Sequence, residues 1–168
     1  LAAYDKVIKM SFQQGVSFAK VGLQRGAALV KLKRYAEAIA AYDLVIGKQP
    51  DNFDAWLNRG LNLEKLASYE EAVFSYNQAI SIWPSNYQAW SQLALMLEKL
   101  ERYEEAIIIY DQIVSLRPSN YQIWFQRGLI LERLGYIQDA VISYNIVLEI
   151  KPDYYKAIER KKGLKLPS

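Results

Sequence analysis

The chain has 168 residues, and neither cysteine nor histidine is among them. This absence excludes disulfide bonds, thiol chemistry, the usual zinc sites and every mechanism in which histidine is the general base. Because most enzymes depend on one of these groups, we expect no catalytic residue, no metal site and no cofactor in this sequence.

Long apolar segments and a strong excess of one charge are absent as well. No apolar run reaches the roughly 18 residues of a membrane span, and no signal segment opens the sequence, so we expect a cytoplasmic protein without direct membrane insertion. Since the first residues look like the middle of a helix, we also expect a piece of a longer protein. Lysine and arginine number 21 against 18 aspartates and glutamates, so nucleic acid is not an expected partner. One short basic cluster is interpreted as a solvated face: Lys156, Arg160, Lys161, Lys162 and Lys165.

Hydrophobic residues make up 52% of the sequence, which is enough to form a buried core. Four of the five prolines lie 34 residues apart, at Pro50, Pro84, Pro118 and Pro152. When residues 53–86 are aligned with residues 87–120, 17 of the 34 positions are identical, which indicates internal duplication. We therefore divide the chain into four repeats, preceded by residues 1–18 and followed by residues 155–168: 19–52, 53–86, 87–120 and 121–154.

Each repeat is predicted to form two helices, because apolar residues recur at spacings of three and four and proline interrupts the pattern. In the last three repeats the first helix presents a tryptophan, a small residue and a leucine, whereas the first repeat has Gly22 in place of the tryptophan. The second helix presents alanine, tyrosine and a small or aliphatic residue in all four repeats. This 34-residue pattern resembles the tetratricopeptide repeat and is similar to its bacterial and cyanobacterial members. The resemblance implies an all-α fold, a right-handed α-solenoid of helix-turn-helix tetratricopeptide repeats.

The two ends of the chain are interpreted by the same pattern. Residues 4–8 (YDKVI) echo residues 42–46 (YDLVI), so residues 1–18 are expected to hold the second helix of a truncated upstream repeat plus a linker. Residues 155–168 resemble the solvated capping helix and tail that end such arrays.

Small residues recur where the two helices of a repeat would cross, and they let the helix axes approach closely. They are Gly26, Gly60, Ala94 and Gly128, with alanines opposite them. The tryptophan and tyrosine columns are expected to fill the core around this crossing. Arginines beside the small residues are interpreted as packing residues at the edge of the core: Arg25, Arg59 and Arg127.

The first helices would line the concave side of the solenoid, and the face opposite their packed residues carries recurring amides, leucines and basic residues. Carboxamides can pair with the backbone of a bound peptide, and exposed leucines can hold its apolar anchors. The basic row would favour an acidic ligand unless Glu64, Glu98 and Glu132 neutralise it. The candidate peptide-binding groove is Gln24, Asn58, Leu61, Lys65, Gln88, Gln92, Leu95, Lys99, Gln122, Gln126, Leu129 and Arg133.

Two alternatives bear on this groove. The amides and lysines could simply solvate the repeat surface, which is the ordinary role of such residues. Some members of the family hold a chaperone C-terminal tail with a carboxylate clamp, but of the matching positions only Asn58 carries a suitable residue. Binding of such a tail is therefore not expected.

The second helices leave an apolar row opposite their packed face: Phe74, Ile108, Ile142 and Ile146. Exposed apolar patches usually mark an interface, here in a homodimer or with a part of the protein outside this sequence. The alternative is that scattered exposed aliphatics were copied by duplication.

The resemblance and the groove together predict a non-catalytic protein–protein interaction scaffold that binds a peptide or partner segment. The alternative is the substrate-recruiting repeat domain of a larger enzyme whose catalytic domain lies outside this sequence. A nucleic-acid-binding repeat would need a strongly basic face, which the groove lacks.

Overall fold

The computed structural model describes residues 17–164, and within them the chain forms α-helices and no strand. The all-α class is therefore confirmed. Residues 1–16 and 165–168 lie outside the described residues, and with them the predicted upstream helix. The helices of the described range are α1 Phe18–Lys31, α2 Tyr35–Lys48, α3 Phe53–Lys65, α4 Tyr69–Ile82, α5 Tyr87–Lys99, α6 Tyr103–Leu116, α7 Tyr121–Arg133, α8 Ile137–Ile150 and α9 Tyr155–Gly163.

Proline and asparagine set the boundary between successive helix pairs. Each second helix ends just before a proline, which cannot continue the helical hydrogen-bond ladder. Two residues after Pro50, Pro84 and Pro118 an asparagine begins the next helix, because its side chain accepts a hydrogen bond from a free backbone N–H of the first turn. Before α9 this place is taken by Tyr154, which makes no such bond. The Oδ1 atom of Asn52 accepts from the Ala55 N–H at 3.0 Å, and that of Asn86 accepts from the Ala89 N–H at 3.0 Å.

A residue in the left-handed region closes the turn within each helix pair. Its φ is 58° at Lys33, 57° at Ala67, 57° at Glu101 and 82° at Gly135. The next backbone N–H then reaches back to the end of the first helix, as Ser68 does to the Leu63 carbonyl at 3.0 Å. This pattern satisfies the carbonyls that a helix leaves free at its C-terminus. Only Gly135 adopts this conformation without a steric cost.

Buried tyrosines fill the helix crossings that the small residues open. Tyr76 is fully buried against Gly60, where an added Cβ would lie 2.6 Å from the tyrosine ring. Gly128 and Tyr144 form the same pair, with 2.5 Å for the added Cβ. Cβ atoms do not approach other heavy atoms so closely, so these two crossings require glycine as long as the rings stay in place.

The tyrosines fill the helix crossings, whereas the tryptophans pack at the edge of the core, where Trp124 contacts a buried cluster. Trp56, Trp90 and Trp124 are only half-buried. The indole N–H of Trp56 donates to the Pro50 carbonyl at 2.8 Å, and that of Trp124 donates to the Pro118 carbonyl at 2.8 Å. An indole has one polar atom that needs a partner, so these side chains lie against the turns between pairs, at the edge of the core.

The chain divides into two compact units, Leu1–Ala89 and Trp90–Ser168. In the first unit α1 packs on α2, α2 on α3 and α3 on α4. In the second unit α6 packs on α7, α7 on α8 and α8 on α9. Among residues 17–164 there is no helix with the length and apolarity that crossing a bilayer requires.

A hydrogen-bonded arginine joins three successive helices in each unit. In the first unit Arg59 on α3 donates from Nε to Asp43 Oδ1 on α2 at 2.7 Å, and from Nη1 to Ser75 Oγ on α4 at 2.7 Å. Because Ser75 is fully buried, this bond satisfies a hydroxyl that water does not reach. We call this arrangement the arginine staple, and it recurs in the second unit with Asp111, Arg127 and Ser143.

Candidate functional site

In the first unit the predicted groove residues lie on the first helix of each pair and reach solvent. Gln24, Lys65 and Gln88 are exposed, whereas Asn58 and Leu61 are half-buried. The Asn58 amide donates to the Asp54 carbonyl of its own helix at 2.7 Å. The amide nitrogen of Asn58 therefore already has a hydrogen-bond partner within α3.

In the second unit the predicted groove residues differ in what they offer. Lys99, Gln122, Gln126 and Arg133 are exposed, Leu95 is exposed over 39% of its surface, and Leu129 is half-buried. Gln92 is half-buried, and its Oε1 atom is inaccessible to solvent and accepts no hydrogen bond from the described residues. An amide whose acceptor is enclosed is less suited to pair with a bound peptide than the exposed Gln126.

Three of the predicted residues meet in one cleft on the second unit. This cleft, which we call the amide cleft, has a volume of about 350 Å³. Gln126, Leu129 and Arg133 contribute the predicted amide, apolar and basic groups from α7. The rest of its lining consists of Glu98, Tyr103, Ile130, Glu132 and Arg160.

A second, larger cleft of about 560 Å³ shares Leu129, Glu132 and Arg160 with the first. We call it the C-terminal cleft, because the rest of its lining comes from α7, α9 and the residue after α9: Phe125, Lys156, Glu159, Gly163 and Leu164. Of the predicted groove residues in the second unit, Gln92, Leu95, Lys99 and Gln122 line neither cleft.

The glutamates of the amide cleft accept hydrogen bonds from buried tyrosines. Glu132 accepts from the Tyr144 hydroxyl at 2.8 Å and from Arg160 at 3.0 Å, and Glu98 accepts from the Tyr110 hydroxyl. Burial, together with the hydrogen bond to Glu132, raises the pKa of Tyr144, so its hydroxyl stays a donor at neutral pH. Buried tyrosines therefore hold both carboxylates, and Arg160 also pairs with Glu132.

Arg133 is held by an aromatic ring. Its guanidinium lies 4.9 Å from the centre of the Tyr103 ring and also donates to the Tyr103 hydroxyl. This cation–π contact fixes the direction of the arginine at the edge of the amide cleft and leaves other N–H groups free to bind a ligand.

Sequence reasoning missed several cleft residues, and repeat register could have found some of them. Lys156, Arg160 and Gly163 stand 34 positions after Gln122, Gln126 and Leu129, so α9 continues the same face. The interpretation of residues 155–168 as a cap concealed this continuation. Tyr103 is different, because it belongs to a second helix, which the pattern does not assign to the groove.

The apolar row on the second helices is exposed at three of its four predicted positions. Phe74 is exposed over 54% of its surface, Ile108 over 61% and Ile142 over 52%, whereas Ile146 is half-buried. The Phe74 ring makes an edge-to-face contact with Trp56, with 5.7 Å between the ring centres. No group of three or more acidic residues that could hold a metal ion is found within residues 17–164.

Comparison with models of protein families identifies the family of this chain. Family models described as tetratricopeptide repeat match residues 23–86, 88–130 and 121–154. The chain belongs to the tetratricopeptide repeat family. A comparison with curated proteins finds no match.

Solved structures of the same fold cover most of this tetratricopeptide repeat chain. The crystal structure of MamA protein gives a TM-score of 0.78 at 18% identity, over 86% of this chain and 79% of that one. MamA 41-end from Desulfovibrio magneticus RS-1 gives 0.75 at 15% identity, over 86% and 82%. YrrB, described as a TPR protein with an unusual peptide-binding site, gives 0.75 at 21% identity, over 95% and 80%. At these identities the likeness shows the fold alone.

Proposed function

We propose that this chain is a non-catalytic scaffold that binds a peptide or a segment of a partner protein on the exposed face of its first helices. The observation that carries the proposal is the amide cleft, where one helix presents an amide, a leucine and an arginine side by side. Membership of the tetratricopeptide repeat family supports a role in protein interaction, and the name of YrrB records a peptide-binding site on the same fold.

The chemistry of the cleft suits an extended peptide. Gln126 is exposed and can both donate to a peptide carbonyl and accept from a peptide N–H. Leu129 and Ile130 form an apolar floor for one side chain of the ligand, which becomes desolvated on binding. Arg133, fixed by Tyr103, can donate to a carbonyl or a carboxylate at the edge of the cleft.

The proposal is tested by selection from a phage-displayed library of random linear peptides on the unmodified chain. The recovered peptides are then titrated against the double variant Gln126→Ala/Leu129→Ala. We expect the double variant to bind them at least about tenfold more weakly, because it loses an amide contact and the apolar anchor site. Fluorescence polarisation gives the dissociation constants, and circular dichroism checks that the helices remain folded.

A matched control changes the same residue types elsewhere on the second unit. Gln112 and Leu116 lie on α6, are exposed, and line neither cleft. The variant Gln112→Ala/Leu116→Ala should bind the recovered peptides as the unmodified chain does. Equal affinity of the unmodified chain and the Gln126→Ala/Leu129→Ala variant would remove the amide cleft as the binding site.

The rival proposal is that this array recruits substrates for a catalytic domain in the same protein. The two roles use the same groove, so the sequence of the full-length protein separates them, since only the rival requires an adjoining catalytic domain. We also propose a cytoplasmic location, which microscopy of the tagged full-length protein tests.

A further inference from the structure

The helix α9 continues the groove face of the first helices but changes its chemistry. The exposed glutamines of α7, Gln122 and Gln126, are replaced 34 positions later by Lys156 and Arg160. Both basic residues are exposed, and both line the C-terminal cleft. The end of the groove therefore carries two basic residues where α7 carries two amides, and Glu132 and Glu159 line the same cleft.

This helix also carries the whole net charge of the chain. Residues 155–163 hold four basic residues and one glutamate, a net charge of +3. Subtracting them from the totals of 21 basic and 18 acidic residues leaves 17 of each in the rest of the chain. Cationic residues near a helix C-terminus interact favourably with the helix dipole, which accounts for Arg160, Lys161 and Lys162 in the last turn of α9. Lys156 lies in the first turn, where a cation is unfavourable, so the dipole does not explain it.

The floor of the C-terminal cleft is apolar and open. Phe125 and Leu129 from α7 and Leu164 after α9 supply the apolar surface. Gly163 stands in the column of Leu129, and a Cβ added there would meet no atom within 4 Å. The position that carries a leucine in α7 is thus free space in α9, large enough for a side chain of a ligand.

The two basic groups beside this floor are available to an anion in different ways. Lys156 has no ion-pair partner among the described residues and is exposed. Arg160 donates from Nη1 to Glu132 at 3.0 Å, which orients its guanidinium, and it remains exposed. Glu132 is itself held by the Tyr144 hydroxyl. An oriented guanidinium and an exposed ammonium group on one face of α9 can together bind a carboxylate, although Arg160 already pairs with Glu132 and Glu159 lines the same cleft.

We infer that the C-terminal cleft binds an acidic peptide segment, in which an aliphatic side chain sits on the floor of Phe125, Leu129 and Leu164 and aspartates or glutamates lie beside Lys156 and Arg160. This inference rests on the proposed function, because it names the chemistry of the ligand for the same groove. It assigns Lys156 and Arg160 a binding role in place of their interpretation as part of a solvated face.

The test uses the peptides recovered by the unmodified chain from the random library. The strongest of them is synthesised in two forms, as recovered and with each aspartate and glutamate replaced by asparagine and glutamine. We expect the recovered peptides to be enriched in acidic residues next to an aliphatic residue. The neutral form should bind about tenfold more weakly, and this difference should shrink as salt is raised.

The variant Lys156→Gln/Arg160→Gln should bind both forms of the peptide equally. The matched control, Lys161→Gln/Lys162→Gln, removes the same charge from exposed residues of α9 that line neither cleft, and it should keep the tenfold preference. Recovered peptides without acidic enrichment, or a preference that survives in Lys156→Gln/Arg160→Gln, would overturn the inference while leaving the proposed function intact. If no peptide is recovered, the proposed function fails, and the inference fails with it.

Discussion

Two buried tyrosines at equivalent positions differ in the partner of their hydroxyl. The Tyr144 hydroxyl donates to Glu132 at 2.8 Å, whereas the Tyr76 hydroxyl is buried and has no partner among the described residues. Tyr76→Phe should therefore leave the free energy of unfolding unchanged or raise it by up to about 1 kcal/mol, because it removes an uncompensated polar group. Tyr144→Phe should lower it by about 1–2 kcal/mol, because a hydrogen bond to a carboxylate is lost. Urea unfolding measures both values.

The two tyrosines can be compared directly because their rings pack against equivalent residues. Tyr76 packs on Gly60 as Tyr144 packs on Gly128, so loss of the hydroxyl changes the packing of the two rings alike. A loss for Tyr76→Phe as large as that for Tyr144→Phe would contradict the prediction. It would mean that the Tyr76 hydroxyl is hydrogen-bonded in solution.

At the scale of the helix pair, the turns differ in the steric cost of the left-handed residue. Gly135 has a φ of 82° and a Cβ there would touch nothing, so Gly135→Ala changes only the backbone preference. We expect Gly135→Ala to lower the free energy of unfolding by about 1 kcal/mol. We expect Ala67→Gly, at a φ of 57°, to raise it by up to about that amount. Thermal unfolding of both variants measures the two effects.

Gly47 provides the control for these turns. It lies within α2, and a Cβ added there meets no atom within 4 Å, so Gly47→Ala should stabilise the chain by up to about 1 kcal/mol. Destabilisation by Gly135→Ala beside stabilisation by Gly47→Ala would isolate the left-handed conformation as the cause. The same sign for both variants would contradict the assignment of that cost to the turn.

The helices were predictable because their signals are local and repeated. The proline spacing and the glycine and alanine columns depend only on the period of the chain, and the tyrosines packed on those glycines are buried as expected. The arginine staple was less predictable. Arg59 was interpreted as a packing residue, but its bonds to Asp43 and Ser75 depend on the angle between three helices, which a periodic pattern does not specify.

The candidate site was predictable in part for the same reason. Gln126, Leu129 and Arg133 were predicted because they share one face of one helix. Tyr103 reaches the amide cleft from a different helix, so its position there is a tertiary contact that the face pattern alone does not reveal. Gln92 matches Gln126 in sequence, yet its acceptor atom is enclosed, which is a property of the packing around it.

At the scale of the whole molecule, we propose that exposed apolar residues of the second helices mediate self-association: Phe74 in the first unit, and Ile108 and Ile142 in the second. Exposed apolar side chains of this size are a liability in water unless another surface covers them. Replacing the three residues with glutamate should convert a concentration-dependent dimer to a monomer and leave the helical content unchanged. Sedimentation or light scattering over a range of concentrations gives the mass.

Exposed leucines outside this row supply the control for the added charge. Glutamate at Leu32, Leu66 and Leu116, all exposed, should leave the dimer in place. A monomeric mass for the unmodified chain at high concentration would rule out self-association through the row.

The arginine staple also limits how freely the repeats can be exchanged. Its aspartate belongs to one repeat and its arginine and serine to the next, as Asp43 precedes Arg59 and Ser75. The positions 34 residues after Asp43, Arg59 and Ser75 are Asn77, Leu93 and Ile109, so the aspartate, the arginine and the serine are all replaced there. A chimera cut after residue 52 or after residue 120 would therefore separate an aspartate from its arginine, whereas a cut after residue 86 would not. At the two stapled boundaries, a transplanted segment keeps its staple only when it begins within the preceding second helix, which is out of phase with the 34-residue repeat.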